Sequence, residues 1–168
     1  MSVGNIDRIA AIKRVVVRGT NWVGDSVMTV PALRALRRLL PDAHITLAIR
    51  PSAKGIFSEV DFIDDILVYD RRNAFSVVSQ IREWRRRRFD LALLFQNAFE
   101  AALIPFLAGV PTRLGYATES RQAMLTHPLP LPDWRSPKHE VFYYLNLITA
   151  LEQLLSGTSS VCESDPDI

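Results

Sequence analysis

The sequence predicts an α/β domain built on a doubly wound parallel sheet, and three observations carry that expectation. Strand-like and helix-like segments alternate along nearly the whole chain. The strand-like segments are short unbroken apolar runs, as buried parallel strands are, and not the alternating runs of a half-exposed sheet. The helical segments repeat apolar residues every three or four positions. Alternation of this kind folds into right-handed βαβ units with the functional crevice beyond the carboxyl ends of the strands.

The first strand is predicted over residues 12–18, where the β-branched run Val15-Val16-Val17 ends at Gly19. A helix follows over residues 26–40, with Val27, Val30, Leu33, Leu36 and Leu40 on one face and Arg34, Arg37 and Arg38 on the other. Pro31 either kinks that helix by depriving the Val27 carbonyl of its partner, or marks the first turn of a regular helix that starts near Thr29. A second strand is expected over 44–49, a short helix near 52–58, and a third strand over 65–69 closed by Asp70-Arg71-Arg72-Asn73. Residues 74–87 read as a helix with Phe75, Val78, Ile81 and Trp84 or Arg85 along one side, and 90–95 as the fourth strand. A mostly apolar helix over 98–108 and a short fifth strand over 113–116 come next. A proline-rich crossing from Pro128 to Pro137 then leads to an amphipathic helix over 138–155. Residues 1–155 form one domain on this reading, and 156–168, rich in Ser, Gly, Asp and Glu, a linker or tail.

Composition narrows the function classes. The chain is 168 residues long and 48% hydrophobic, enough for one real core. Its net charge of +2, from 20 basic and 18 acidic residues, gives no global field for nucleic acid. Cys162 is the single cysteine and has no Cys or His neighbour at metal-ligand spacing, which fits a reducing cytosol. No stretch approaches the roughly 20 apolar residues of a membrane span, and the start has no apolar core of a secretory signal, so a soluble protein with at most peripheral membrane contact is expected. Arg82, Arg85, Arg86, Arg87 and Arg88 fall within seven residues at the end of a predicted helix. They serve either as a solvated cationic helix end or as attraction to an anionic inner-membrane leaflet.

Residues 19–26 read Gly-Thr-Asn-Trp-Val-Gly-Asp-Ser, with the glycine spacing of a phosphate-binding loop, but Asp25 stands where that loop needs its lysine. A carboxylate there repels a nucleotide phosphate, and no G-x-G-x-x-G is present for a dinucleotide. The segment instead puts a carboxylate at the mouth of the first strand, on the turn into the first helix. Asp25 is there either a helix cap or a general base. Trp22 is either a sugar-stacking platform or a core aromatic. Gln96, Asn97 and Glu100 follow the fourth strand, where amides orient sugar hydroxyls or cap a helix. Arg113 and Arg121 flank the fifth strand, and Lys138 and His139 open the last helix, each either a solvated charge or a group for an anionic ligand.

The stretch Arg18 to Pro31, continued by Ala32-Leu33-Arg34-Ala35-Leu36-Arg37-Arg38-Leu39-Leu40-Pro41, resembles the opening of the ADP-heptose:lipopolysaccharide heptosyltransferases, glycosyltransferase family 9. Its Asn-Trp-Val-Gly-Asp core is similar to the type II version. The resemblance continues through Phe89-Asp90-Leu91-Ala92, Gln96-Asn97-Ala98-Phe99, Ile104 to Pro111, Arg113-Leu114-Gly115-Tyr116 and His139-Glu140-Val141, and so covers about residues 12–155.

The resemblance implies the amino-terminal, Rossmann-like half of a GT-B enzyme. Such an enzyme transfers heptose with inversion from ADP-heptose to the lipid-linked Kdo/heptose inner core of lipopolysaccharide, without cofactor or essential metal. It implies Asp25 as catalytic base and moves Asn97 toward acceptor binding. The acceptor-side residues expected on this reading are Asn21, Trp22, Gly24, Asn97, Arg113, Arg121, Lys138 and His139. The resembling enzymes are about twice as long and hold ADP-heptose in a second domain with no counterpart here, so this chain alone is expected to be inactive. A partner donor domain, in trans or in a longer protein, is the expected complement. The localisation implied is cytoplasmic, peripheral to the inner face of the inner membrane. A glycan-binding module that does no chemistry, or a domain for a different sugar acceptor, is the competing expectation.

Overall fold

The computed structural model describes residues 11–69, 74–133 and 139–156. Expectations for Asp70 to Asn73, for Lys138, for Cys162 and for the carboxy-terminal tail beyond residue 156 lie outside the described residues. Six strands form one parallel sheet: β1 (Arg14–Arg18), β2 (His44–Ile49), β3 (Asp65–Val68), β4 (Leu91–Leu94), β5 (Thr112–Tyr116) and β6 (His127–Leu129). Their order in the sheet is β3-β2-β1-β4-β5-β6, and every neighbouring pair runs parallel. Chain order reverses between β1 and β4, so a crevice opens where the loops after those two strands part in opposite directions.

Among the described residues six α-helices flank the sheet: α1 (Val23–Met28), α2 (Val30–Leu39), α3 (Lys54–Phe57), α4 (Ala74–Arg87), α5 (Phe99–Ala108) and α6 (Glu140–Ser156). The apolar runs of the central strands follow from this double cover. Val15, Val17, Leu91 and Leu93 face one core, shared with Leu33 and Leu36 of α2 and Leu147, Ile148 and Leu151 of α6. Val16, Ala92 and Leu94 face the other, shared with Trp84 of α4 and Ala102 and Ile104 of α5. With about 1.5–3 kcal/mol for each large apolar side chain fully removed from water, these two layers are the main stabilising term.

Two elements differ from the sequence expectation, and one of its open alternatives is resolved. The regular helix starts after Thr29 with Pro31 in its first turn, the second of the two alternatives, and residues 23–28 before it form a separate short helix. Proline has no N–H to give the Val27 carbonyl, and the Thr29 hydroxyl closes the break by donating to the Ser26 carbonyl at 2.7 Å. A sixth strand, β6, lies where a crossing without strand structure was expected. Pro128 sits within it, which an edge strand tolerates because one side of its backbone needs no donor. Helix α4 buries Gln80 and Trp84 and packs Val77 and Ile81 on the core, while Phe75 and Val78 face solvent. Of the expected side, Ile81 and Trp84 thus face the core, whereas Phe75 and Val78 do not, and Val77 and Gln80 face inward in their place.

The amino-terminal edge of the sheet is tied by Asp90, whose carboxylate accepts the N–H groups of Lys13 and Arg14 at 2.9 and 2.8 Å. The crevice between the loops after β1 and β4 lies at the opposite, carboxyl edge.

Candidate active site

Strand β1 delivers the chain to the crevice. Gly19 follows it and donates its N–H to the Ala48 carbonyl at 2.9 Å. A Cβ there would stand 2.6 Å from Ile49 Cγ2 and 3.3 Å from that carbonyl, so β2 and the loop can approach this closely only at glycine. The loop then folds back on hydroxyls. Thr20 Oγ1 and Ser26 Oγ lie 3.0 Å apart, and Ser26 Oγ donates to the Trp22 carbonyl at 2.9 Å. These contacts fix the turn from which α1 starts.

Trp22 is the residue that caps α1, in extended conformation and without a side-chain cap. Asp25 sits in the first turn, half-buried, and its carboxylate has no hydrogen bond or ion pair among the described residues. It is therefore a carboxylate on the lip of the switch-point crevice that does no capping. Gly24 has nothing within 4 Å of where its Cβ would be, so packing does not explain its lack of a side chain. Trp22 is 75% exposed, which removes the core-aromatic alternative, and Val23 and Val27 are exposed beside it. The lip is thus apolar around a single carboxylate.

Beneath the lip lies a buried polar network that the sequence did not reveal. The side chain of Arg18, at the end of β1, is fully buried with its guanidinium carbon 3.5 Å from the centre of the Tyr69 ring. It donates to Gln80 Oε1 at 2.8 Å and Gln96 Oε1 at 3.3 Å, and Glu100 is 3.7 Å away. The Tyr69 hydroxyl lies 3.4 Å from both Gln96 Oε1 and Asn21 Oδ1, and Arg50 Nε donates to the same Asn21 oxygen at 3.0 Å. Burial pushes the Tyr69 phenol up against the opposing pull of Arg18 and Arg50, so it stays a protonated donor. Asn21 is thereby held by its oxygen, and its NH2 group has no acceptor among the described residues. The one hint of this network in the sequence was a charged residue ending an otherwise apolar buried strand.

The loop after β4 is braced from the other side. Arg121 is fully buried and donates to the Tyr116 carbonyl at 2.8 Å, to the Gln96 and Ala98 carbonyls, and to Asn97 Oδ1 at 3.1 Å. Burial lowers its guanidinium to about 10, still cationic at neutral pH. Asn97 Nδ2 donates to the Tyr143 hydroxyl at 2.8 Å, and Tyr143 stacks on Tyr116 with ring centres 4.1 Å apart. One donor and one acceptor of the Asn97 amide are therefore used within the fold. Arg121 itself follows two residues in left-handed backbone, Glu119 at φ 47° and Ser120 at φ 57°. That turn is strained for non-glycine residues and is held by the Arg121 N–H on the Thr118 carbonyl at 3.0 Å.

The remaining expected residues separate. Arg113 stands three residues before the end of β5, away from the carboxyl edge. It packs over Phe106 and donates to the Met124 carbonyl at 2.6 Å and to the Val110 carbonyl. His139 is exposed immediately before α6, where its Nδ1 accepts the Val141 N–H at 3.3 Å. The Tyr143 bond to Asn97 brings that end of α6 to the crevice. Asp25, Asn21, Trp22, Gly24 and Asn97 therefore gather at the switch point, with His139 at its border. Among the described residues no three His, Cys, Asp or Glu side chains are grouped to hold a metal ion, and no helix is long and apolar enough to cross a membrane.

Comparison with known proteins points the same way. A family model described as glycosyltransferase family 9 (heptosyltransferase) matches residues 77–160. Lipopolysaccharide heptosyltransferase 2 of Escherichia coli is 28% identical over 116 residues, which cover 67% of this chain and 33% of that protein. Lipooligosaccharide heptosyltransferase 2 of Haemophilus ducreyi is 27% identical over 115 residues, with the same coverage of both chains. Among solved structures, ADP-heptose lps heptosyltransferase II of E. coli superposes with a TM-score of 0.69 at 24% identity, over 80% of this chain and 40% of that one. The glycosyl transferase family 9 protein of Veillonella parvula superposes with a TM-score of 0.73 at 23% identity, over 91% and 42%. The chain spans about a third of the length of the curated relatives it matches.

Proposed function

We propose, on the premise that this chain belongs to glycosyltransferase family 9, that it forms the acceptor-binding half of an inverting heptosyltransferase of lipopolysaccharide core biosynthesis. The observation that carries the reading is Asp25: a carboxylate with no partner among the described residues, on the lip of the switch-point crevice, beside an exposed Trp22 and an open Gly24. An inverting transfer needs such a group. The Asp25 carboxylate takes the proton of an acceptor hydroxyl as that oxygen bonds to the anomeric carbon of heptose. The bond from that carbon to the β-phosphate of ADP breaks, and ADP leaves from the opposite face. A base already engaged in ion pairs would have to break them first.

The neighbouring groups suit the acceptor. Trp22 offers an exposed ring for the apolar face of a sugar, and Asn21 offers an NH2 donor whose orientation Arg50 and Tyr69 hold. The amino-terminal end of α6, bordered by His139, is favourable to the carboxylates of the Kdo/heptose inner core. ADP-heptose is the donor on this reading and no cofactor takes part. The donor site belongs to a second domain of the GT-B architecture, present in trans or in a longer protein. The chain works in the cytoplasm at the inner face of the inner membrane, where a lipid-linked acceptor resides.

Calorimetric titration with a Kdo/heptose inner-core oligosaccharide tests the reading. Binding is expected for the wild-type chain and for Asp25→Ala, with no transfer from ADP-heptose by the chain alone. Supplying a donor domain in trans is expected to bring transfer with wild type and not with Asp25→Ala. Equal turnover by the two would remove Asp25 as the base. Acceptor binding with no transfer under any supply of donor domain would instead leave a glycan-binding module.

A further inference from the structure

We infer that the outward face of α4 is a docking surface for an anionic phospholipid bilayer. The helix is held to the core by Val77, Gln80, Ile81 and Trp84. Its opposite face carries Phe75, Val78, Ser79, Arg82 and Arg86 at steps of three and four, along an open groove of about 590 Å³. Phe75 is 84% exposed and Val78 44%. Singly exposed apolar residues are ordinary, but these two are aligned on one face and continue directly into cationic side chains.

The order along the face decides the partner. Apolar groups occupy the start of the helix and guanidinium groups its end, where Arg82, Arg86 and Arg88 are exposed, while the exposed Arg85 donates to the Leu107 carbonyl of α5 at 2.6 Å. Glu83 offsets part of this charge through Arg86 at 2.9 Å and Arg87 at 2.7 Å, and the face stays cationic. A lipid interface presents the complementary order over the same distance. Aromatic and aliphatic side chains enter the acyl boundary while arginines extend along it and keep their heads on phosphates. A neutral apolar protein groove would leave those arginines without partners.

The helix also sets how the domain would sit. Gln80 is bonded to Arg18 on the crevice floor, so the turns of α4 around it adjoin the crevice. Docking through Phe75 and Val78 brings the crevice to the lipid surface. This orientation rests on the proposed function, because it matters only where the acceptor is lipid-linked, whereas the docking itself does not depend on transfer.

Vesicle flotation with the purified chain tests the docking without reading activity. The chain is expected to float with phosphatidylcholine vesicles that contain phosphatidylglycerol, and not with phosphatidylcholine alone. Binding should fall as salt shortens the screening length. Arg82→Gln and Arg86→Gln are each expected to weaken it about fivefold. Phe75→Ser combined with Val78→Ser should remove what binding survives high salt. A Phe75→Trp variant should show a blue-shifted emission component on anionic vesicles, placing residue 75 in the interface. All these positions are exposed, so far-UV circular dichroism should be unchanged. Equal binding to neutral vesicles, or undiminished binding of a variant that combines Phe75→Ser, Val78→Ser, Arg82→Gln and Arg86→Gln, would overturn the inference and leave the acceptor-domain reading intact. Docking on anionic vesicles with no calorimetric binding of the inner-core oligosaccharide would do the reverse.

Discussion

Replacing Arg121 separates the role the sequence suggested, a group for an anionic acceptor, from the one its burial and bonds indicate, a brace inside the fold. Its guanidinium reaches four acceptors. Two of them have other donors: the Tyr116 carbonyl also accepts the Thr118 N–H at 2.9 Å, and the Ala98 carbonyl accepts the Ala101 N–H at 3.0 Å. The Gln96 carbonyl and Asn97 Oδ1 have no other donor among the described residues. In Arg121→Met, which roughly keeps the volume, those two lose their donor at about 1–3 kcal/mol each. The desolvation that lowers the guanidinium to about 10 is relieved at the same time, which returns part of the loss. The expected net destabilisation is about 3 kcal/mol, or about 6–12 °C in Tm for a domain of this size. Urea titration followed by tryptophan fluorescence should show the midpoint falling with an unchanged slope. Arg121→Lys should recover only part, because a point ammonium cannot span the acceptors that a planar fork reaches. A stability within about 0.5 kcal/mol of wild type, the range of an ordinary surface substitution, together with lost acceptor binding, would refute the brace and make Arg121 a ligand group.

Other substitutions test neighbouring parts of the same frame. Gly24→Ala should raise stability by about 0.4–1 kcal/mol, because the position is helical with open space around it, and should weaken acceptor binding measured by calorimetry. Gly19→Ala should cost about 1–3 kcal/mol in urea titration, because its Cβ would meet Ile49 at 2.6 Å. Acidification should remove a small stabilising contribution from Glu83. Hydrogen bonds from Arg86 and then Arg87 hold its carboxyl at about 2 against an ordinary 4.5, so the contribution is present above about 4.5 and is lost as pH falls toward 2. The pair is solvent-screened, so the loss should be about 0.5 kcal/mol, and Glu83→Gln should flatten that part of the pH profile.

The sheet was legible because each central strand is apolar on both sides, a pattern that only a doubly covered parallel sheet requires. The predicted bounds of β2 and α4 coincide with those observed. β6 was missed because it is three residues long and contains proline, so nothing in its local pattern separates it from a loop. The phase of α4 was misread in part, for a different reason. Its inward face includes Gln80, polar because it receives Arg18, and a rule based on apolar spacing cannot recognise a buried amide. At the site, the sequence placed Asp25 on the turn between a buried strand and a helix, and the fold puts it there, in the first turn of α1. The groups that shape its surroundings were not legible, since the Asn21 contacts come from residues 29 and 48 positions away. Arg113 and Arg121 looked like cations for a ligand, and only the fold reveals that backbone carbonyls already surround both.

The contrast within the crevice bears on mechanism. Arg18, Tyr69, Gln96, Asn97 and Arg121 form a floor in which almost every polar atom has a protein partner, so water competes poorly there and the loops after β1 and β4 keep a fixed separation. On the lip, Asp25 has no such partner among the described residues, Gly24 has open space around it and Trp22 is exposed. A base that must accept a proton in the transition state gains nothing from a ground-state ion pair, and gains a great deal from a rigid mount. The two layers therefore divide the work. The buried cations brace the loops after β1 and β4, and the carboxylate proposed as base stands clear of that brace.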